Sequence, residues 1–329
     1  MQLNWRFILR RFGEMVLTMW VIATILFFMF RLMPGNPLAA YIDPNFTQEQ
    51  QAILLEQFGL DRPLWEQYGI YLGNLARGEL GRSFSYRESV VTIVGRVLPN
   101  TLYLMLTSFI FAYIIGILGG ILLAWNRGTK TETVGIVLTL LTRSAPQFWV
   151  GMIALAVFSF QMNWFPSGGV GPAGAGYASE LAKLTSPVFW RYLFLPAATL
   201  AIYLCGLPLL LMRSNMLDVM GESFVSVARM RGLGEFRIML KYAARNAALP
   251  VVTAMAVGLG YAIGGNVVIE QVFSWPGLGR LLVRAVSTSD YPLAQGAFLL
   301  IAGIMVFMNF VADILYSVLD PRISLDSKG

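Results

Sequence analysis

The sequence predicts an all-α protein that crosses a membrane several times, on three observations. Of 329 residues, 57% are hydrophobic and only 13% charged; long charge-free runs recur along the chain; and the basic residues concentrate in alternate connecting segments. An ordinary soluble domain carries about a quarter of its residues charged. Half that share cannot cover a water-facing surface of this size, which excludes a water-soluble enzyme. The apolar content equally excludes a disordered chain or a coiled coil.

The elements follow from the runs in chain order. The first apolar stretch, 15–30, lies between Glu14 and Arg31. It is short for a span, but an Arg at a helix end can snorkel to the interface. Arg6, Arg10 and Arg11 ahead of it resemble the basic start of a signal peptide, yet Pro34-Gly35-Asn36-Pro37 is a poor cleavage site. The stretch therefore reads as a retained span. Uncharged runs of 30, 36, 21, 24 and 22 residues follow, the first bounded by Arg96 and Arg127 and the last by Asp290 and Asp313. The other three lie between Arg143 and Glu180, Arg191 and Arg213, and Arg245 and Glu270. About 20 apolar residues cross the hydrocarbon core as a helix, so each run holds one span. That makes six.

Between spans one and two, the segment 34–94 mixes acids and bases. Ile53, Leu54, Gln57 and Phe58 fall at helical spacing after a Thr47 cap, predicting a helix over 48–58 in a small extracytoplasmic subdomain. The glycine- and proline-rich segment 166–176 predicts a loop. In the second span Ala112, Gly116, Gly120 and Ala124 recur every four residues, a stripe that lets helix backbones approach closely. Gly260 and Gly264 repeat the spacing in the fifth.

Orientation comes from the basic residues. With the N-terminus inside, segments 1–11, 127–143, 213–245 and 314–329 hold 14 of them in 77 positions, against 10 in 115 on the other side. The positive-inside rule then puts both termini in the cytoplasm. The net charge of +6 marks that face rather than a nucleic-acid partner. The chain divides into 1–33 with the first helix, the extracytoplasmic 34–94, a five-helix core over 95–320 and a cytoplasmic tail, 321–329.

The chemistry of a catalyst is missing. A single Cys excludes an intrachain disulfide framework, and Cys205 reads as a small core hydrophobe. The absence of His removes the commonest transition-metal ligand and proton shuttle. Gly128-Thr129-Lys130-Thr131 lacks the order of a phosphate loop, and Gly258, Gly260, Gly264 and Gly265 do not fit G-x-G-x-x-G. With no HExxH and no CxxC either, no catalytic, cofactor-binding or metal residue is predicted.

The informative piece is the loop 213–248. It reads as two short helices around a glycine break: Phe224, Val227 and Ala228 share a face of the first, and Gly232 ends it at a C′ position. Glu235 sits in the first turn of the second, with Lys241 and Arg245 toward its end as a helix dipole prefers. Pro250 opens the next span, where its missing N–H matters little. Such a basic pair of helices could rest on anionic lipid.

Its residues also resemble a known family. Ala228-Arg229-Met230-Arg231-Gly232-Leu233 followed by Arg245-Asn246-Ala247-Ala248-Leu249-Pro250 is similar to the EAA loop of binding-protein-dependent ABC importer permeases, in their dipeptide/oligopeptide/nickel branch. Ser226-Val227-Ala228 stands where the loop's name has Glu-Ala-Ala. Arg31-Leu32-Met33-Pro34-Gly35-Asn36-Pro37 resembles the B-type subunit, and Gly78-Glu79-Leu80-Gly81-Arg82-Ser83 and Leu98-Pro99-Asn100-Thr101-Leu102 also match the branch. So do Val272-Phe273-Ser274-Trp275-Pro276-Gly277-Leu278-Gly279-Arg280-Leu281-Leu282, Asp290-Tyr291-Pro292 and Asp320-Pro321-Arg322.

The resemblance implies a type I ABC importer permease of a bacterial or archaeal inner membrane. This chain would be half of a heterodimeric pore, with a second permease beside it, two cytoplasmic ATPases and an extracytoplasmic solute-binding protein. ATP and Mg would sit on the ATPases, with no cofactor on this chain. The loop would be a coupling helix: Phe224, Val225 and Leu233 filling an ATPase cleft, Ala228 and Gly232 allowing close approach, Arg229, Arg231 and Glu235 orienting it. Short peptides are the implied cargo, with nickel chelates, glutathione and oligosaccharides as alternatives. An ion-coupled secondary transporter would instead predict inverted repeats and several intramembrane acids.

Polar groups in the spans are pathway candidates or interhelical hydrogen bonds. They are Gln147, Gln161, Asn266, Glu270, Gln271, Asn309 and Asp313, with Gln147, Asn266 and Glu270 foremost. Glu270, near the outer end of span five, is the one best placed to meet a peptide's amino group. Trp5, Trp20, Trp65, Trp149, Trp164 and Trp275 lie near predicted boundaries, as interfacial anchors do.

Overall fold

A computed structural model describes residues 5–32, 62–172, 174, 176–262 and 266–319. The helix expected over 48–58 with its Thr47 cap, the 321–329 tail, Gly264, Gly265 and the 33–37 and 320–322 motifs lie outside them. Among the described residues the chain is mostly helical, with no strand beyond one isolated bridge between Arg82 and Ser89.

Helix α1 (Trp5–Arg31) is followed by α2 (Leu64–Ala76) and by α3 (Val90–Trp125), which starts five residues ahead of the expected core boundary. Then come α4 (Lys130–Ser144), α5 (Gln147–Ala154) with the π-helical Leu155–Gln161, and the short α6 (Glu180–Leu184). Helices α7 (Pro187–Leu204) and α8 (Gly206–Met220) meet at Cys205. Among the described residues four helices are long and apolar enough to cross a membrane: α1, α3, α7 and the last, α14 (Tyr291–Leu319), over Tyr291–Ile314. A fifth is counted if α4 and the segment Gln147–Gln161, bent 105° apart, form one span.

The third charge-free run thus departs from a single straight helix. Pro146 holds Ala145 extended, at φ −72° and ψ 138°, because the residue before proline clashes in the α region. The helix breaks there and resumes at Gln147. The fifth run holds α11 (Ala244–Ala262), which is 19 residues long but not among the four.

The small-residue stripe sits where α3 meets α7 and α8. Ala112 and Ala124 are fully buried. A Cβ on Gly116 would come within 2.7 Å of Pro208, and one on Gly120 within 2.6 Å of the Leu209 carbonyl and Met212. Only hydrogen leaves room for that approach, the arrangement that membrane helices use in place of hydrophobic drive. Outward faces are apolar: only 17% of the most apolar window of α1, and of α14, is buried within the chain. Their Leu, Ile and Phe side chains face out, as lipid or another membrane subunit requires. Trp5, Trp20, Trp65, Trp149 and Trp164 are exposed. Trp275 departs from the expected anchoring role: it is fully buried, its Nε1 donating to the Asn100 carbonyl at 2.9 Å.

Candidate coupling surface and polar nodes

The loop after α8 forms a hairpin. Its first arm is α9 (Ser223–Met230). Gly232 adopts φ +74°, a left-handed conformation that glycine enters at least cost. The Gly232 N–H donates to the Arg229 carbonyl at 2.9 Å and the Leu233 N–H to that of Ala228 at 3.3 Å. This is the double bond pattern of a Schellman motif, with Gly at C′ as the sequence predicts. The second arm begins at α10 (Glu235–Arg237) and runs through the π-helical Ile238–Ala243 into α11 without a break.

Two expectations change here. Lys241 and Arg245 lie inside a continuous helix rather than near its end. Pro250 lies within α11 instead of opening it. The π segment and α11 have merged, so Pro250 removes one internal donor, to the Asn246 carbonyl, and its ring crowds that turn of the helix.

The hairpin has its own small core: Val225, Ala228 and Ile238 are buried, with Leu233 packed against them. Ala228, at the edge of the Phe224 face, packs inward beside Val225, while Phe224 and Val227 stay exposed. Of the predicted coupling residues, Val225, Ala228 and Leu233 brace the hairpin from within. Phe224 remains outside. Val227, Met230 at 79% exposure and Phe236 at 71% are also exposed on the hairpin, a set that the composition of the loop alone did not single out. Arg231 is exposed on the same hairpin. Arg229 Nε and Glu235 Oε1 pair at 3.1 Å across the turn. Both are about half exposed, so the pair orients more than it stabilises.

A partly buried ion pair ties α4 to α8. Thr129 caps α4, its hydroxyl accepting from the Glu132 N–H at 3.5 Å. Glu132 accepts from the Gly128 N–H at 2.7 Å and from Arg213 Nε of α8 at 2.9 Å.

The pathway candidates separate. Gln147 Oε1 accepts from Asn266 Nδ2 at 2.8 Å, joining the start of α5 to the cap of α12 (Val267–Val272). Glu270 instead faces α13 (Leu278–Ser287). It is fully buried, and its oxygens accept from the Thr101 hydroxyl at 2.7 Å and the Arg280 N–H at 3.0 Å. Thr101 in turn accepts from the Leu278 N–H at 2.8 Å. A carboxylate at a helix N-terminus meets unpaired N–H groups and the positive dipole end. This geometry favours the structural alternative for Glu270. Gly277 belongs to the same wrap, since a Cβ there would overlap the Glu270 carboxylate. Asp313 pairs with Arg11 at 3.4 Å, tying α14 to α1, while Gln161 and Gln271 are exposed and Asn309 is half-buried.

Two further nodes use residues not singled out individually by sequence. Asn100 Nδ2 donates to the Pro276 carbonyl at 2.8 Å, and its Oδ1 accepts from the buried Lys183 ammonium, which lies over the Tyr103 and Phe189 rings. Asp290, also fully buried, accepts from the Ser83 hydroxyl and from the Phe84 and Ser85 N–H groups at 3.1 and 2.9 Å. Thus the stretches 98–102 and 272–282 meet at one junction, and 78–83 and 290–292 at another. Asn100 and Thr101 had a signal, being polar in an apolar run. Lys183 in a mixed outer segment had none.

Comparison with known proteins decides the family. Residues 116–325 match the binding-protein-dependent transport system inner membrane component, and residues 4–105 match the N-terminal family of such membrane components. The chain belongs to this permease family. A Brucella ovis protein, whose name assigns it provisionally as a peptide permease, is 39% identical over 304 residues, 92% of this chain and 93% of its own. The di/tripeptide transport system permease protein DppB of Pseudomonas aeruginosa is 36% identical, covering 96% of this chain and 98% of its own. The glutathione transport system permease protein GsiC of Escherichia coli is 32% identical, with the same coverage. The permease is therefore a multi-pass membrane component of a transport system that depends on a binding protein.

Proposed function

We propose that this permease imports short peptides, forming half of a pore with a second, related permease. Two cytoplasmic ATPases carry ATP and Mg, and an extracytoplasmic solute-binding protein delivers the cargo to a bacterial or archaeal inner membrane. In this reading the chain crosses six times, α11 belonging to one crossing, and both termini and the 213–248 hairpin are cytoplasmic. The observation that carries the coupling role is the exposure of four apolar side chains, Phe224, Val227, Met230 and Phe236, on a basic hairpin. An apolar ridge rimmed by Arg229, Arg231 and Glu235 fits a cleft on a folded partner. Val225, Ala228 and Leu233 hold its shape, and Gly232 sets the turn.

The peptide cargo rests on the names of full-length relatives, DppB among them. Glutathione is the second reading, favoured by the similarity to GsiC. Gln147 and Asn266 are the pathway pair in this reading, with Glu270 positioning α13 beside them. Deleting the gene and measuring uptake of labelled dipeptide and labelled glutathione tests the cargo. Loss of dipeptide uptake supports the first reading, loss of glutathione uptake alone supports the second, and unchanged uptake of both rejects the two.

A further inference from the structure

The charge count sets Arg143 at the cytoplasmic end of the third apolar run, and the packing moves it inward. Helix α4 runs antiparallel along α8: Glu132 meets Arg213 near one end, and Gly206 faces Thr139 and the stem of Arg143 near the other. A Cβ on Gly206 would come within 2.7 Å of Arg143 Cγ and 3.4 Å of Thr139 Cγ2, so only hydrogen leaves room for that stem. Thirteen residues separate Lys130 from Arg143, roughly 20 Å of helix at about 1.5 Å per residue. A second route gives a similar depth. Gly116 of α3 sits against Pro208 and the Cys205 carbonyl, beside Gly206, and stands eleven residues short of Arg127, about 16 Å along the helix. Arg143 is thus close to the middle of Lys130–Gln161, the stretch that counts as one bent span.

A guanidinium at that depth is costly, and such residues face a water-filled path or a partner group rather than lipid. Arg143 is exposed on this chain, and among the described residues it has no ion pair and no hydrogen bond. Its place in the last turn of α4 sets it beside the negative end of that helix. This offsets part of the cost and leaves the donors of the fork unused. Glu132, Glu270 and Asp313 are each engaged elsewhere, with Arg213, with Thr101 and the Arg280 N–H, and with Arg11. Gln147, the pathway residue bonded to Asn266, opens the next helix just past the Pro146 bend. Arg143 therefore stands at the bend that carries the pathway pair. A short peptide brings a terminal carboxylate, the group that a guanidinium fork matches with two parallel hydrogen bonds.

We propose that Arg143 binds the terminal carboxylate of the cargo part-way across the membrane, with Gly206 seating its stem. The assignment rests on the reading of this permease as half of a peptide pore. The test uses the purified importer, both permeases with both ATPases, without the binding protein. Equilibrium binding of labelled dialanine is compared with that of its C-terminal amide. The wild type should bind the acid about tenfold more tightly than the amide. Arg143→Gln should bind the two alike, and Arg143→Lys, which keeps the charge and loses the fork, should keep about a threefold preference. Uptake of labelled dialanine into proteoliposomes with the binding protein tests the reading underneath, and its absence in the wild type overturns the peptide pore. A wild type that transports dialanine but binds the acid no better than the amide overturns the Arg143 assignment alone, as does a Gln variant that keeps the wild-type preference. An assembly that falls apart with Arg143→Gln, and holds with Arg143→Lys but without preference, identifies a carboxylate of the second permease as the partner and also overturns it.

Discussion

At Gly232 the backbone stands at φ +74° with open space around the missing Cβ. A side chain there is not crowded but is strained, by about 1 kcal/mol. Gly232→Asp adds a negative charge to a basic turn as well. The expected outcome is wild-type abundance in the membrane with ATP-driven uptake largely lost; uptake at the wild-type rate from equal protein would reject the coupling role. Glu270 and Gly277 make the opposite case, crowding without strain. Gly277→Ala must displace a buried carboxylate that holds the start of α13, so it should lower stability by about 1–3 kcal/mol. Thermal unfolding of the purified protein reads this, and a midpoint equal to wild type would mean the wrap is slack.

At the scale of elements, the hairpin separates its bracing face from its outward face. Ile238→Ala opens a small core and should destabilise by about 2–5 kcal/mol. Replacing Met230 and Phe236 with Ser should leave the thermal midpoint within a degree or two while reducing transport-coupled ATP hydrolysis, measured in proteoliposomes with the partner ATPases. A large drop in midpoint for that double variant would place the two residues in the core instead. The contact between α4 and α8 has its own test: Glu132→Gln should lower the thermal midpoint, and a midpoint equal to wild type would refute the ion-pair assignment. Helix α4 itself was hidden in the sequence, because Lys130, Glu132 and Arg143 made its stretch read as a loop. Periodicity cannot reveal that a charge is neutralised by a residue 81 positions away.

Across the whole molecule, the apolar runs made the membrane class and most of the helices legible, since burial in lipid demands the same residues wherever it occurs. The stripe of Gly116 and Gly120 was legible for the same reason. The junctions were not: nothing local to Glu270 says that its oxygens meet the N–H groups of α13, and nothing local to Asp290 says that it meets Ser83. Orientation stays a matter of charge count, and it has a direct test. Cys205 is the single Cys and is buried, so the background for thiol labelling is low. Arg229→Cys should react with an impermeant maleimide in inverted membrane vesicles and Trp65→Cys in right-side-out cells; the reverse pattern would invert the topology.

The unbroken passage from α10 through the π segment into α11 has a mechanical meaning. From Glu235 to Ala262 the chain is helical without an intervening loop, a path of roughly 40 Å at a rise of about 1.5 Å per residue. Phe236 stands near its exposed end, and α11 packs against α8 and α14. No loop separates the two, so a displacement at Phe236 meets no slack segment before α11. The π segment and Pro250 are where such a helix would bend instead.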